Sequence, residues 1–339
     1  MEKTIELSHG AGGTLMELLI KQVIVPKFKK RTVGGLGLDD LDDGATIPLN
    51  NYEIVITADG HTVDPLFFPG GDIGTLAVSG TINDLAVMGA KPIAITTALI
   101  IEEGFPISDL EKILDSMAKV AEETNVAVIA GDTKVMPRNH IDKLVIATSG
   151  VGLAKRGQVI SDAGLKPGDK IIVTGTIGDH GIALLAVREG LDFETELKSD
   201  VAPIWETIEA ALNVGGITAM KDPTRGGLAS ALNDLAEKSK VSIWIDEESI
   251  PVRVEVRAAA EMLGIDPLEV TNEGKAVIGV NAEYAEEVLG AVRKTKYGKD
   301  AQIIGEAKKE KPGYVFLKTV VGGVRVLEKP YGEPIPRVC

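Results

Sequence analysis

The chain has 339 residues, enough for two domains of ordinary size, each with its own core. It carries 36 Lys and Arg against 50 Asp and Glu, a formal net charge of −14, and only 4% of its residues are aromatic. Such a chain is a poor candidate for binding nucleic acid or an anionic membrane surface.

Further classes are excluded by the N-terminal sequence and the cysteine content. The first residues are acidic and lack the apolar segment of a signal peptide, and no run of about eighteen apolar residues predicts a membrane helix. A single cysteine, Cys339, excludes internal disulfides and zinc clusters built from thiolates. We therefore expect a soluble, cytoplasmic protein.

A glycine-rich segment lies near the beginning of the chain. Residues 8–14 (SHGAGGT) precede an apolar pattern at Leu15, Leu18 and Leu19 that predicts a helix. The amides of such a turn can bind a phosphate, although the spacing fits neither the Rossmann nor the P-loop motif. The alternative is a flexible N-terminal loop.

An acidic loop follows, with four aspartates within residues 38–45 (LDDLDDGA). Crowded carboxylates repel each other unless a cation joins them, so the loop is either a divalent-metal site or a solvated acidic loop. The next predicted strand, residues 54–58, ends at Asp59. Aspartates at the carboxyl ends of strands are typical of ligand sites in α/β sheets.

The stretch from residue 64 to residue 90 is the densest in Gly, Pro and Asp. It predicts a turn ending in an N-cap, Asp72, and then a helix in which Gly80 and Asp84 share one face. A bare glycine surface beside a carboxylate would let a metal-bound phosphate approach closely. The alternative is a tightly packed contact between helix and sheet.

The rest of the first domain alternates strands and a helix. We expect a strand at 92–101, a helix opened by a capping box at Ser108 and Glu111, and a strand at 126–129. The last of these would deliver residues 130–134 (AGDTK) at its end, and a strand at 143–152 would close the domain.

The second half repeats this scheme after a polar turn at residues 164–169. Three of its junctions carry glycine with a charged residue: 178–181 (GDHG), 222–227 (DPTRGG) and 272–275 (NEGK). The other predicted elements are strands at 170–175, 241–245, 276–280, 303–304, 314–317 and 324–327, and helices at 182–187, 228–236, 254–263 and 282–294. Junctions that combine glycine with a charged residue thus recur in both halves of a chain that has no Walker or Rossmann motif. Their accumulation predicts a metal–nucleotide site assembled from loops of both domains.

The end of the sequence is a proline-punctuated tail that carries Cys339. Extended by Pro330, Pro334 and Pro336, the tail reaches about 30–35 Å at roughly 3.1–3.3 Å per residue. It could bring a thiol into a distant cleft or out to a partner. The alternative is a frayed terminus with an incidental cysteine.

Taken together, these motifs closely resemble the HypE family of hydrogenase maturation factors, within the PurM-like (aminoimidazole-ribonucleotide synthetase) superfamily. The resemblance rests on residues 9–13, 64–74, 83–86, 131–134, 178–181, 222–227, 272–275 and 336–339. It implies an α/β (α+β) two-domain fold, whose N-terminal domain forms a dimeric β-barrel core and whose C-terminal domain is an α/β sandwich. The expected divisions are 1–37 (glycine-rich segment), 38–155, 156–328 and a flexible tail, 329–339.

The resemblance also implies a chemistry. A HypF-like carbamoyltransferase would place a carbamoyl group on Cys339, an ATP- and Mg²⁺-dependent dehydration would turn it into a thiocyanate, and the cyanide would pass to iron on a HypC–HypD scaffold. The implied catalytic residues are Cys339, Glu273 as base, and Lys134 and His180 as helpers. The implied metal ligands are Asp43, Asp59, Asp84 and Asp222. The implied nucleotide-binding residues are His9, Gly10, Gly12, Gly13, Asp59, Asp72, Asn83, Asp84, Gly131, Asp132, Thr133, Asp222 and Arg225.

Two other functions compete with this interpretation. One is a sibling ATP-dependent synthetase or kinase acting on a free small molecule, similar to selenophosphate synthetase. The other is a carrier that displays a modified thiol while partners do the chemistry.

Overall fold

Two β-sheets, one in each half of the chain, organise the computed structural model, which describes residues 4–190 and 197–332. The architecture is mixed α/β, as expected. Both sheets fall within the predicted domains 38–155 and 156–328, whose bounds stay predictions. Most of the tail, including Cys339, lies outside the described residues. Within them, no helix is both long and apolar enough to cross a bilayer.

From residue 4 to residue 155, the structure shows three α-helices and seven strands. The helices are α1 (Thr14–Leu19), α2 (Ile73–Val87) and α3 (Ile107–Thr124). The strands are β1 (Ala45–Leu49), β2 (Tyr52–His61), β3 (Phe67–Phe68), β4 (Gly71–Asp72), β5 (Lys91–Glu102), β6 (Ala127–Met136) and β7 (Leu144–Lys155). Five strands form one sheet in the order β1-β2-β7-β5-β6, and β3 pairs with β4 separately.

Helix α2 is the centre of the molecule. Thirteen of its fifteen residues are buried, which is the pattern of a helix packed on all sides. Its first half packs with the core of the N-terminal sheet, through Ile73 and Leu76. Its last turn, at Ala86 and Val87, belongs instead to a cluster with Ile172 of the C-terminal domain. The two domains therefore share this helix as a common core element.

Helix α3 is amphipathic and covers the same sheet with Ile113, Met117 and Val120. The predicted capping box at Ser108 and Glu111 is wrong. The helix begins one residue before Ser108, and its N-cap, Pro106, offers no side-chain hydrogen bond.

Strand β6 lies at the edge of the sheet, parallel to β5 through the α3 crossover. Nine of its ten residues are exposed. Within the described residues the sheet is open, with β1 and β6 as its edges, and does not close into a barrel. The prediction that residues 130–134 follow a strand end is also wrong, because β6 continues through them to Met136.

The C-terminal half has a seven-stranded sheet in the order β14-β13-β10-β12-β8-β11-β9. Its strands are β8 (Lys170–Val173), β9 (Ile217–Lys221), β10 (Ser242–Asp246), β11 (Val277–Val280), β12 (Gln302–Lys308), β13 (Val315–Lys318) and β14 (Val324–Val326). Its helices are α4 (Asp179–Arg188), α5 (Trp205–Val214), α6 (Gly227–Ser239), α7 (Val254–Leu263) and α8 (Ala285–Val292). Helix α6 buries Leu228, Leu232 and Leu235 against this sheet. Strands β1, β3, β4 and β9 and helix α5 were not predicted.

Candidate active site

A cleft of about 700 Å³ opens between the N-terminal sheet and loops of the C-terminal domain. The acidic loop, β2 and α2 form one wall, and the loops that carry Asp222 and Glu273 form the other. The charged or titratable side chains of the lining are Arg31, Asp42, Asp43, Asp59, His61, Asp84, Asp222, Arg225 and Glu273. Six of these nine are carboxylates. The cleft therefore attracts a cation, and a polyphosphate needs a cation to enter with it.

Strand β2 and helix α2 face each other across the floor of the cleft. Because side chains alternate along a strand, Thr57, Asp59 and His61 share the face of β2 that turns toward α2. Oγ1 of Thr57 donates to Oδ2 of Asp84 at 2.6 Å. A Cβ added at Gly80 would lie 3.2 Å from Cε1 of His61. The shared face predicted for Gly80 and Asp84 is therefore confirmed, and the glycine keeps the floor open.

All four aspartates predicted as metal ligands line this cleft. Burial, and then the charges of Asp59, Asp222 and Asp43, raise the pKa of Asp84 well above its usual range. Burial and the charge of Asp43 raise the pKa of Asp222 to about 8. The carboxylates are thus close enough to oppose one another's ionisation. A cation between them would reverse that effect.

Lys221, at the end of β9, holds Asp43 in place. Its Nζ donates to Oδ1 of Asp43 at 2.6 Å. Burial alone would lower the pKa of Lys221, but surrounding carboxylates, led by Asp43, raise it well above the usual value. Oδ2 of Asp43 is buried and has no hydrogen-bond partner among the described residues. One oxygen is therefore committed to the lysine while the other can accept a ligand.

These oxygen donors suit a hard divalent cation such as Mg²⁺. No three His, Cys, Asp or Glu side chains of the described residues form a metal-binding group by themselves. The raised pKa values of Asp84 and Asp222 indicate a cation site, whereas no three carboxylates of the described residues are placed to hold a metal by themselves. Both observations are explained if a metal takes one or two carboxylates from the protein and its other ligands from phosphate and water. That is the usual coordination of Mg²⁺ in nucleotide sites.

Glu273 is buried and lines the cleft from the C-terminal side. Its backbone is held by Asn83 of α2, whose Nδ2 donates to the carbonyl oxygens of Glu273 at 3.1 Å and Ala202 at 3.0 Å. Oδ1 of the same asparagine accepts from the backbone N–H of Ile204 at 2.9 Å. Asn83, predicted to bind nucleotide, is thus committed to joining the two domains and positioning Glu273.

The neighbouring Asn272 holds the same loop from the other side. Its Oδ1 accepts from the N–H of Gly178 at 2.7 Å, and its Nδ2 donates to the carbonyl oxygen of Pro223 at 3.1 Å. The three glycine junctions predicted in the second half, 178–181, 222–227 and 272–275, are therefore neighbours in space.

A smaller cavity of about 230 Å³ lies beside the cleft, and Asp43 and Arg225 line both. Gly12 and Gly13 line the smaller one. Gly12 has a φ of +78°, and any side chain there would meet the backbone of Arg225. Its carbonyl oxygen accepts from Oγ of Ser230 at 3.1 Å. The glycine-rich turn thus lies at the margin of the cleft, against a C-terminal loop.

His9 and Gly10 line neither cavity. Nδ1 of His9 accepts from the N–H of Glu6 at 3.1 Å and closes its own short turn. The structure therefore does not bring these two residues to the cleft.

Asp72 has a structural role that differs from the predicted nucleotide contact. Its Oδ1 accepts from the N–H of Thr75 at 2.7 Å, which confirms the predicted N-cap of α2, and its Oδ2 accepts from Oγ of Ser116. Both oxygens are satisfied, and the residue does not line the cleft.

His180 is fully buried in the first turn of α4. Its Nδ1 lies 2.7 Å from Oγ of Ser199, and its ring meets the ring of Phe68 edge-on at 5.4 Å between centroids. It does not line the cleft. The structure thus gives His180 packing and hydrogen-bonding contacts in the core, and its role as a catalytic helper stays a prediction.

Four predicted positions lie on the exposed edge strand and not in the cleft of this chain: Gly131, Asp132, Thr133 and Lys134. Sequence reasoning placed them in a loop beside the aspartates. The structure places them on the outer edge of the sheet.

Three cleft residues were missed: Thr57, His61 and Arg31. A period-two reading of β2 could have found the first two, because they flank Asp59 on the same face. No local signal identifies Arg31, or the contact of Lys221 with Asp43, since both depend on how the domains meet.

Two family models match the chain. The N-terminal domain of AIR synthase related proteins matches residues 41–154, and the corresponding C-terminal domain matches residues 166–318. Among curated relatives, a putative hydrogenase expression/formation protein of Methanocaldococcus jannaschii is 55% identical over 98% of each chain. The carbamoyl dehydratase HypE of Rhizobium leguminosarum bv. viciae is 44% identical, over 99% of this chain and 95% of its own.

Solved structures agree with these matches. A structure of a HypE–HypF complex superposes with a TM-score of 0.86 and 44% identity, over 92% of this chain and 99% of that one. A structure of HypE in complex with ATP superposes with a TM-score of 0.83 and 39% identity, over 99% of this chain and all of that one. The resemblance inferred from the motifs is thereby confirmed, and the chain belongs to the HypE family of AIR synthase related proteins.

Proposed function

We propose that this chain is a carbamoyl dehydratase that uses ATP to convert an S-carbamoyl group on its own Cys339 into a thiocyanate. The product would supply the cyanide ligand of the iron centre of [NiFe]-hydrogenase. One observation carries the proposal: Glu273 and five aspartates, drawn from both domains, line one cleft in a chain that matches carbamoyl dehydratases over nearly its full length.

The reaction removes one oxygen and two N–H protons from the carbamoyl group. The carbamoyl oxygen attacks the γ-phosphorus of ATP, ADP leaves, and one N–H proton passes to a base. The C–O bond then breaks, phosphate carries the oxygen away, and loss of the second N–H proton completes the C≡N bond. Phosphorylation is needed because an amide oxygen is a poor leaving group.

Glu273 is our candidate for the base. Asn83 and Asn272 fix the backbone of its loop, and the residue lines the cleft, so its position there is preorganised. One or two carboxylates from the set Asp43, Asp59, Asp84 and Asp222 would hold each Mg²⁺, together with phosphate and water, and the metal would offset the charge of the polyphosphate. The turn at Gly12 and Gly13 would lie over the nucleotide.

We also propose a homodimer in which strand β6 meets its copy. Val128, Ile129 and Val135 are 47%, 64% and 65% exposed on this unpaired edge, and long apolar edges are normally covered. Pairing of two sheets would form the expected barrel and bring Lys134, with residues 131–133, to a neighbouring site. Ile129→Glu should then shift the sedimentation coefficient to that of a monomer, whereas Ile107→Glu, at another exposed apolar position, should not.

The partners follow from the same chemistry. A relative forms a complex with HypF, and we propose that a HypF-like carbamoyltransferase loads Cys339 here. A HypC–HypD scaffold would accept the cyanide.

Intact-mass measurement of the full chain tests the proposal. Loading should add one carbamoyl group, and ATP should then remove the mass of one water and release one phosphate. Cys339→Ala should bind nucleotide yet release no phosphate. Phosphate release that persists without Cys339 would favour the free-substrate synthetase. A loaded chain that never loses water would favour the carrier.

A further inference from the structure

The base of the tail, residues 329–332, is fastened to the body of the protein next to the glycine-rich turn. The N–H groups of Thr14 and Leu15, the first residues of α1, donate to the carbonyl oxygens of Pro330 at 2.9 Å and Tyr331 at 3.1 Å. Gly13 lies so close to the carbonyl of Pro330 that a side chain there would collide with it. The turn and the tail base therefore form one packed unit.

Lys329 joins this unit to two helices. Its Nζ donates to Oε2 of Glu17 on α1 at 2.7 Å and to Oδ1 of Asp234 on α6 at 2.5 Å. The lysine side chain is 15% exposed. Burial opposes its charge, but the two carboxylates outweigh burial and raise its pKa. This is a partly buried, bifurcated ion pair, unlike the exposed pairs that contribute little.

We call the contacts of Lys329 with Glu17 and Asp234, together with the hydrogen bonds from Thr14 and Leu15 to the tail base, the clamp. The clamp lies beside the cleft that the loaded tail must enter. Lys329 lines the smaller cavity together with Gly12, Gly13 and Arg225. Arg225 and Asp43 continue from that cavity into the cleft. The tail thus leaves the body at the entrance of the site on which it would act.

From these contacts we infer that Lys329 is a positioning residue for the dehydration of Cys339, an inference that rests on the function proposed above. With the clamp closed, only seven residues, 333–339, separate the anchored base from the thiol. Extended, they span at most about 23–25 Å. Without the clamp, the nearest buried anchor is Leu327, whose backbone pairs with Val315 and Asn233.

The clamp sets the effective concentration of the loaded thiol in the cleft. For a flexible tether this concentration falls roughly as the −3/2 power of length. Lengthening the free tail from seven to twelve residues, 328–339, therefore lowers it about twofold from length alone. The direction in which the tail leaves the body is lost as well, which lowers it further.

The test compares dehydration of the chain's own tail with dehydration of an added peptide. In the first arm, full-length chain carbamoylated on Cys339 receives ATP, and loss of water is followed by intact mass. In the second arm, Cys339→Ala full-length chain receives a synthetic S-carbamoylated peptide of residues 333–339. The variants are Lys329→Met, which keeps the volume of the stem, and the double change Glu17→Gln with Asp234→Asn, which leaves the tail unchanged.

We expect both variants to slow the first arm at least twofold and to leave the second arm undiminished, while Lys329→Arg restores the first. Lys318→Met is the matched control, since it breaks an exposed lysine–aspartate pair elsewhere, with Asp246. Equal losses in both arms would mean that Lys329 builds the site and does not position the tail. Unchanged rates in the first arm would also overturn the inference.

Hydrogen exchange separates this inference from the proposed function. Opening the clamp should speed exchange of the Thr14 and Leu15 amides in both variants, and not in Lys318→Met, whether or not the loaded chain reacts. If wild-type chain fails to lose water while these amides respond, the function is wrong and the clamp remains. Amides that do not respond would exclude the clamp.

Discussion

The side-chain amide of Asn83, on a helix of one domain, lies 3.1 Å from the backbone carbonyl oxygen of Glu273, on a loop of the other. The same buried asparagine makes two further hydrogen bonds to the second domain, with Ala202 and Ile204. The position of the proposed base and the joining of the domains therefore depend on one side chain.

Asn83→Ala should lower the free energy of unfolding by roughly 2–4 kcal/mol, because three buried hydrogen bonds are lost and their partners stay buried. Dehydration should fall as well, since the loop of Glu273 loses its support. Urea unfolding and mass-detected turnover measure the two effects. Asn281→Ala, in an exposed turn, should change neither. A fully stable Asn83→Ala variant would contradict the role of the asparagine.

Glu273→Gln should reduce dehydration of loaded chain by about 10²- to 10⁴-fold, the usual contribution of a general base. Nucleotide affinity should stay within a few-fold, since the amide preserves the shape of the carboxylate. Single-turnover mass kinetics and equilibrium binding check this. Glu206→Gln, on the exposed side of α5, is the matched control. Retained turnover in the Glu273 variant would move the base elsewhere.

Gly80→Val should weaken ATP binding at least tenfold, about 1.4 kcal/mol, because the side chain would fill the floor of the cleft beside His61. Gly290→Ala is the control in another helix, where an added methyl group meets open space. There we expect unchanged binding and a gain in stability of roughly 0.5–1 kcal/mol. Calorimetric titration measures the ATP affinity of both variants, and urea unfolding measures the stability of Gly290→Ala. Equal ATP affinities in the two variants would show that Gly80 does not form the floor of the nucleotide site.

The raised pKa of Asp179 predicts that the stability of the protein depends on pH. Burial and the charge of Asp200 raise its pKa from 3.8 to about 6. A carboxyl group whose pKa is raised in the folded state favours folding while protonated, and this contribution is lost as the pH rises from about 4 through about 6. The unfolding free energy of wild type minus that of Asp179→Asn should therefore fall by up to about 3 kcal/mol between pH 4 and 7. Urea denaturation of both proteins across that range measures it, and a constant difference would contradict the shift.

Much of the fold could be predicted from local patterns. The range of α7 was predicted in full, and β5 and α2 were recognised by their apolar runs and by the cap at Asp72. Helix α5 was missed because its segment lies between two junction motifs, and β1 because Pro48 interrupts it. The strand end predicted at residue 129 failed because Gly131 and Asp132 disfavour strands, yet pairing with β5 overrides this preference.

The residues of the candidate site also fall into two groups, those that local sequence patterns could place and those that they could not. Asp59 and Asp222 could be predicted because they lie at or near the carboxyl ends of strands, and topology brings such ends together. Asp43 and Asp84 were predicted from other signals, the acidic loop and the face of α2 that carries Gly80. His180 and Asp72 carry the same local signature but turn into the core. Only tertiary packing decides which face of a junction meets the cleft, and no local pattern records it.

Helix α2 contributes its first turns to one apolar cluster and its last turn to the other. Separate expression of residues 1–155 would leave Ala86 and Val87 without their cover, and residues 156–339 would lack the helix that completes their own interior. Neither half should therefore be obtainable as an independent, well-behaved fragment, but the two should associate when produced together. A break in the chain near residue 157 should accordingly yield a split protein that regains its fold by complementation.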